Sequence, residues 1–253
     1  MAWSLFTPKC PVGPATKAWV DSRMQWLADQ FGMQVWHQAR AVEPTGEFFP
    51  DPFDRSERAV RCMLDRVCNY MAIPPQRITL RLYAEQRRVG NPLFPIEGPR
   101  TAGQYAAAGQ EIVAIEVGGL ANPMSLVATM AHELAHARLL GENRLSRDEE
   151  DLEILTDLAT VFFGLGIFCA NSAVQYDQWH RQGWSGWSVQ RTGYLDEPTF
   201  GYALALWTFV RHEDRPRWMR HVRPNVRGHM KESLRFIQAT ADSPFASARL
   251  PKA

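Results

Sequence analysis

The chain has 253 residues, 45% of them hydrophobic, and its 28 Lys and Arg nearly balance 27 Asp and Glu, giving a formal net charge of +1. A chain of this size can bury a substantial core, either as a single domain or as two closely packed lobes. We expect a single α+β domain over 1–253, with helices and a sheet in 1–120 and a mainly helical part in 121–253. The balanced charge gives no signal for nucleic acid or a membrane surface, and the N-terminus lacks the pattern of a secretory signal. The four cysteines show no paired spacing, so a reduced, cytoplasmic protein is expected.

The N-terminal part is predicted to contain two helices. Residues 15–31 have the apolar periodicity of a helix, and Gly32 follows as its end. Ser56 is placed to cap the next helix, which Pro74 and Pro75 stop.

Strands are predicted after this second helix. Residues 78–83 alternate apolar and polar side chains, the period of a half-exposed strand. Residues 101–106 and 111–117 are interpreted as a hairpin across 107–110. We therefore expect a small, mostly antiparallel sheet.

The most informative segment follows the strands. Asn122 supplies an N-cap before a proline, and Gly141 stands where a C-terminal left-handed residue is expected, so a helix is predicted over 123–140. Inside it, His132 and His136 flank Glu133 in the pattern H-E-x-x-H. Residues four apart share a helix face, so the two imidazoles can bind one metal ion with the glutamate beside them.

A zinc ion needs a third protein ligand, which the next helix can supply. Residues 146–149 have the sequence of a capping box, and Glu153 and Asp157 share a face of the helix behind it. Glu153 can complete the coordination, while Asp157 can accept the second ring N–H of a ligating histidine. Glu149 and Glu150 are rival ligands, although acidic residues in a first helical turn more often stay solvated, and we prefer Glu153.

These two motifs resemble those of the gluzincin metalloproteases, in which H-E-x-x-H on one helix is followed by E-x-x-x-D on the next. The resemblance covers roughly residues 110–165. It implies a zincin-like fold with a small sheet packed on the motif helix. It also implies Zn²⁺ bound by His132, His136 and Glu153, Glu133 as general base, and Asp157 as the partner of a ligating histidine.

The C-terminal part contributes helices and a candidate oxyanion donor. Residues 176–194 are interpreted as a loop, and helices are predicted over 198–211 and 224–239. A donor beyond the metal usually stabilises the oxyanion in zinc peptidases. The candidates are Tyr194, Tyr202, His180, His212, His221 and His229. We favour Tyr202, because its neighbour Gly201 permits close approach.

The principal hypothesis is a zinc metallopeptidase in which Glu133 takes a proton from zinc-activated water that attacks a peptide or protein substrate. A regulatory protein that uses the zinc site to bind a partner is the alternative. A helical protein with an accidental motif is the third, and metal analysis separates it from the other two. The sequence gives no oligomeric state or cleavage specificity.

Overall fold

In a computed structural model of the chain, the described residues are 8–83, 111–181 and 195–246, with side chains described up to 173 in the second range. These residues form a mostly helical structure with two strands. The helices are α1 Pro14–Phe31, α2 Met33–Gln38, α3 Glu57–Tyr70, α4 Pro123–His136, α5 Leu152–Phe162, α6 Gly166–Arg181, α7 Glu197–Val210 and α8 Pro224–Thr240, and the strands are β1 Ile78–Tyr83 and β2 Glu111–Glu116.

Three predicted helix boundaries are confirmed by the backbone. Gly32 follows α1 with φ of 95°, a conformation that side chains with a Cβ rarely adopt. The Ser56 side chain accepts a hydrogen bond from Ala59 N at the start of α3. The Asn122 side chain accepts from the first backbone N–H groups of α4. The two N-caps satisfy backbone donors that the helix itself leaves unpaired, and Gly32 N–H donates to the carbonyl of Ala28, so local sequence determines these boundaries.

The sheet corrects one prediction. β1 and β2 pair in parallel, so the expectation of an antiparallel sheet is wrong for the described strands. The register places Leu80 beside Val113 and Leu82 beside Ile115, which joins the inward-facing apolar side chains of both strands. Alternation identifies the face that a strand buries but not the direction of its partner, so the sequence pattern was compatible with either pairing. The predicted strand 101–106 lies outside the described residues.

α4 lies at the centre of the fold. It packs against α3, α5, α6 and β2, and its apolar side chains Leu126, Val127, Met130 and Leu134 are buried. The buried apolar side chains form one cluster that extends from Val12 to Phe245. The helix carrying the motif is therefore held on several sides, which fixes the direction of its side chains.

The end of α4 differs from the prediction. The α-helix ends at His136 and continues as a π-helical turn, Ala137–Gly141. The left-handed residue is Asn143, with φ of 54°, rather than Gly141. Gly141 instead allows a close approach, because a Cβ there would lie 2.2 Å from Glu111 Oε1. The prediction of a left-handed C-terminal residue at Gly141 is therefore wrong.

The C-terminal helices follow the prediction with one exception. α7 and α8 match the expected helices, and they pack closely because Gly201 of α7 lacks a Cβ that would lie 2.5 Å from His229 Cβ. The expected loop over 176–194 is wrong at its start, since α6 continues to Arg181, and the rest lies outside the described residues. In the described part of the chain, no helix combines the length and apolar character needed to cross a membrane.

Candidate metal centre

Two histidines project from the last two turns of α4. His132 and His136 stand four residues apart, so they share a face, and their ring centroids lie 4.8 Å apart with the rings inclined at 82°. His132 is buried, with 8% of its surface exposed, whereas His136 is partly exposed. Both imidazole rings face side chains of α5. The predicted pairing of the two histidines is therefore present in the structure.

The start of α5 is fixed by long-range contacts. The Asp151 carboxylate, directly before α5, accepts hydrogen bonds from Trp19 Nε1 at 2.6 Å and from Arg23 Nε and Nη2, each at 2.7 Å. These bonds attach the start of α5 to α1. The capping-box prediction was wrong about the boundary, because Ser146 Oγ accepts from Asp148 N in a turn and α5 begins only at Leu152.

Three ligand atoms converge between α4 and α5. Glu153 Oε2 lies 3.1 Å from His132 Nε2 and 3.5 Å from His136 Nε2. The candidate ligand atoms of all three residues lie within 4.8 Å of one another. Zn–N and Zn–O bonds of about 2.0–2.2 Å in a tetrahedral site would separate ligand atoms by about 3.3–3.5 Å. Both distances to Glu153 are close to this spacing, so the three side chains could hold a metal ion.

His132 is held from behind by a carboxylate. Asp157 Oδ1 lies 2.8 Å from His132 Nδ1, and both side chains are largely buried. The other carboxylate oxygen, Oδ2, accepts from the backbone N–H of Leu195 at 3.2 Å. Asp157 thus occupies the position that the sequence predicted, with Nε2 of His132 left facing Glu153. Sequence reasoning did not predict the contact with Leu195, since residues 157 and 195 are far apart along the chain.

His136 has a different partner behind it. Thr156 Oγ1 lies 3.3 Å from His136 Nδ1, and the same hydroxyl donates to the carbonyl of Leu152 at 2.7 Å. Sequence reasoning missed Thr156. The signal was its position three residues after Glu153, which places the two residues on neighbouring parts of one helix face.

The charges in this cluster are strongly coupled. Burial, the largest single influence, lowers the pKa of His132, but hydrogen bonds to Asp157 and Glu153 outweigh it and raise the pKa to about 10. Hydrogen bonds with His132 and His136 hold the pKa of Glu153 well below its usual range, against the opposing effect of burial. A metal ion that binds at Nε2 of His132 would compete with a proton for the same lone pair.

Glu133 is available for chemistry. It is half-buried beside His132, and in the described part of the chain its carboxylate has no hydrogen-bond or ion-pair partner. A carboxylate with free lone pairs next to a metal centre can accept a proton from a polarised water. The catalytic role of Glu133 stays a prediction.

The rival acidic ligands lie elsewhere. Glu149 Oε1 accepts from Arg23 Nη2 at 2.5 Å, and Glu150 is exposed in the turn before α5. Neither belongs to the group of ligand atoms around His132 and His136. The predicted capping box would place Glu153 beyond the first turn of its helix. Because α5 begins at Leu152, Glu153 lies in the first turn.

Tyr202 contacts a different cluster. Its buried hydroxyl donates to Asp21 Oδ1 on α1 at 2.8 Å, and burial together with Asp21 raises the pKa of Tyr202 well above its usual range. Gly201 permits close approach of α8, not of a substrate. The role of Tyr202 as oxyanion donor stays a prediction, and its contact with Asp21 counts against it.

The other oxyanion candidates are dispersed. His221 Nε2 lies 3.0 Å from Glu43 Oε2, and His229 Nδ1 is a buried atom without a hydrogen-bond partner among the described residues. His212 lies just after α7 with φ of 59°. Tyr194 and the side chain of His180 lie outside the described residues. No described contact joins these candidates to the metal centre.

Comparisons with known proteins give no relative. The chain matches no protein family model, no curated protein and no solved structure. A cluster of two histidines and one glutamate is not specific to the gluzincins. The geometry of the centre therefore carries the functional argument.

Proposed function

We propose that the protein is a zinc-dependent metallohydrolase of gluzincin type that cleaves peptide bonds. One observation carries this proposal. The Nε2 atoms of His132 and His136 both face the Glu153 carboxylate, while each Nδ1 atom meets an oxygen of α5 behind it. Such backing of ligating histidines is characteristic of metal sites, because it orients the ring and directs a lone pair toward the ion.

His132, His136 and Glu153 would hold the ion. Three protein ligands leave a fourth coordination position open, which distinguishes catalytic zinc sites from closed structural sites. Bound zinc supplies a Lewis acid that polarises a carbonyl and lowers the pKa of water toward about 7. Glu153 is 44% exposed at its side chain, so the centre is accessible from the side of this ligand.

Glu133 would carry the proton. Its carboxylate accepts one proton from the attacking water as the oxygen bonds to the scissile carbonyl carbon. It then delivers that proton to the leaving amine as the carbon–nitrogen bond breaks. The half-buried position of Glu133 supports this assignment, as does the fact that its carboxylate has no hydrogen-bond or ion-pair partner among the residues that the structure describes.

The test separates metal binding from hydrolysis. Glu133→Gln is expected to retain stoichiometric zinc but to lower peptide cleavage at least about a hundredfold, because it removes the base and keeps the ligands. Glu153→Ala is expected to lose zinc. Metal content is measured by mass spectrometry and cleavage with a peptide library. Glu150→Gln, which changes an exposed carboxylate before α5, is the matched control and should change neither.

Two results would contradict the proposal. If the wild-type protein contains no zinc after purification, either with or without added zinc, the proposed metal centre is wrong. Tight zinc binding without cleavage of any peptide would overturn the hydrolase and favour a regulatory protein that binds a partner through the same site.

A further inference from the structure

The hydroxyl of Thr156 lies between a backbone carbonyl and a ring nitrogen of His136. Thr156 is fully buried, and its Oγ1 lies 2.7 Å from the carbonyl oxygen of Leu152 and 3.3 Å from His136 Nδ1. A carbonyl oxygen only accepts hydrogen bonds, so the single hydroxyl proton of Thr156 goes to Leu152. The hydroxyl oxygen therefore presents lone pairs to His136.

This direction determines the tautomer of His136. Toward a hydroxyl lone pair, Nδ1 makes a hydrogen bond only when it carries the ring proton. Nε2 of the neutral ring then carries the free lone pair, and Nε2 is the atom that faces Glu153. Asp157 acts on His132 in the same way, from the adjacent position of α5. Two consecutive residues of one helix thus orient two histidines of the other.

We propose that Thr156 is a positioning residue that holds His136 in the tautomer and ring orientation required to bind the metal. This inference rests on the proposed metal site and extends it. Thr156 is a neutral acceptor, so it orients His136 without adding a charge near the bound metal ion. The carboxylates of Glu153 and Asp157 already lie close to that ion or to its ligand His132. The two histidines are therefore unequal ligands: His132 has a carboxylate behind it and His136 a hydroxyl.

Threonines often bond to the carbonyl four residues earlier in a helix, and this alone would be a purely structural role. The chain provides a matched control for that role. Thr208 of α7 is also fully buried and donates to the carbonyl of Leu204 at 2.7 Å. In the described part of the chain, no histidine nitrogen is hydrogen-bonded to the Thr208 hydroxyl. Thr208→Val therefore measures the loss of such a bond without a change at a ligand.

The experiment compares zinc affinity among three variants of the full chain. Zinc binding is measured by competition with a chromophoric chelator, and urea unfolding of the metal-free proteins measures the structural cost. Thr156→Val is expected to weaken zinc binding about tenfold, the lower end for loss of a ligand's hydrogen-bond partner. Thr156→Ser should restore binding to within about threefold of the wild type, since it keeps the hydroxyl, and Thr208→Val should leave binding unchanged.

The outcomes distinguish this inference from the proposed function. If Thr156→Val binds zinc as tightly as Thr208→Val, or if Thr156→Ser binds as weakly as Thr156→Val, the positioning role is wrong although the metal site stands. Absence of zinc binding by the wild type would instead overturn both. A second readout is the ring N–H signal of His136 in the zinc-loaded protein. Its exchange with water should be faster in Thr156→Val than in Thr208→Val, and equal rates would contradict the hydrogen bond.

Discussion

The candidate metal centre and a second cluster of ionisable side chains between helices differ in how exposed they are and in how many of their polar atoms are already hydrogen-bonded. The candidate metal centre joins α4 to α5 through His132, His136 and Glu153, and the side chain of Glu153 is 44% exposed. The second, which we call the α1–α7 cluster, consists of Lys17 and Asp21 of α1 and Tyr202 of α7. In the second cluster Lys17 and Asp21 are only 13% and 10% exposed.

The difference lies in how hydrogen bonds are distributed. In the α1–α7 cluster, Asp21 accepts from both Lys17 and Tyr202, so its charge is neutralised by groups of the protein itself. In the candidate metal centre, the groups that face the Glu153 carboxylate among the described residues are the imidazoles of His132 and His136, which are suited to bind a cation. A closed polar cluster stabilises and specifies helix packing, whereas an accessible one can bind a ligand.

The largest expected effect tests the closed cluster. Asp21→Ala removes the acceptor for both Lys17 and Tyr202, so we expect the free energy of unfolding to fall by about 3 kcal/mol. Zinc affinity should not change, because Asp21 contacts no residue of the metal centre. Urea unfolding and chelator competition measure the two quantities.

Asp21→Asn is the control for this variant. It keeps an oxygen that can accept from Tyr202 and removes only the charge, and Lys17 retains its ion pair with Asp242. We expect a smaller loss than with alanine. Burial, the largest influence on this group, raises the pKa of Asp21 in spite of the bonds from Lys17 and Tyr202. A loss of zinc affinity in either variant would show that the two clusters are coupled.

The sequence predicts the metal centre better than the α1–α7 cluster for a physical reason. The ligands come from two helices close together in sequence, and helical periodicity alone determines which of their residues share a face. The bond between Tyr202 and Asp21 joins residues 181 positions apart, so only the tertiary packing creates it. A tyrosine on an apolar helix gives no sequence signal that distinguishes a catalytic donor from a packed one.

The wrong predictions of the start of α5 and of the strand direction also concern features that depend on tertiary contacts. The start of α5 depends on Trp19 and Arg23, which lie more than a hundred residues earlier, so a local capping pattern could not locate it. The parallel pairing of β1 and β2 likewise joins residues 33 positions apart, and the alternation within each strand does not determine its direction. Caps at Ser56 and Asn122 were predicted correctly because each involves only its own helix.

A second prediction concerns the residue behind His132. Asp157 uses one oxygen for His132 and the other for the N–H of Leu195, whereas an asparagine has a single oxygen. Asp157→Asn must therefore lose one of the two bonds, and we expect zinc affinity to fall about 10- to 100-fold. Chelator competition measures the change. The effect should exceed that of Thr156→Val, because the carboxylate is the stronger acceptor, and the reverse order would contradict this ranking.

The smallest expected effect is that of Tyr202→Phe, which tests whether Tyr202 only stabilises the packing of α1 on α7 or also acts in catalysis. Tyr202→Phe removes one buried hydrogen bond to Asp21 and leaves the ring packed, so the free energy of unfolding should fall by about 1 kcal/mol. If Tyr202 serves only the packing of α1 on α7, peptide cleavage per bound zinc should equal that of the wild type. A fall in the turnover number of a hundredfold at unchanged zinc affinity would instead restore Tyr202 as the oxyanion donor. That result would require the Tyr202 hydroxyl to break its hydrogen bond with Asp21 when substrate binds. Tyr202 would then belong to the α1–α7 cluster in the free protein and act at the metal centre in the substrate complex.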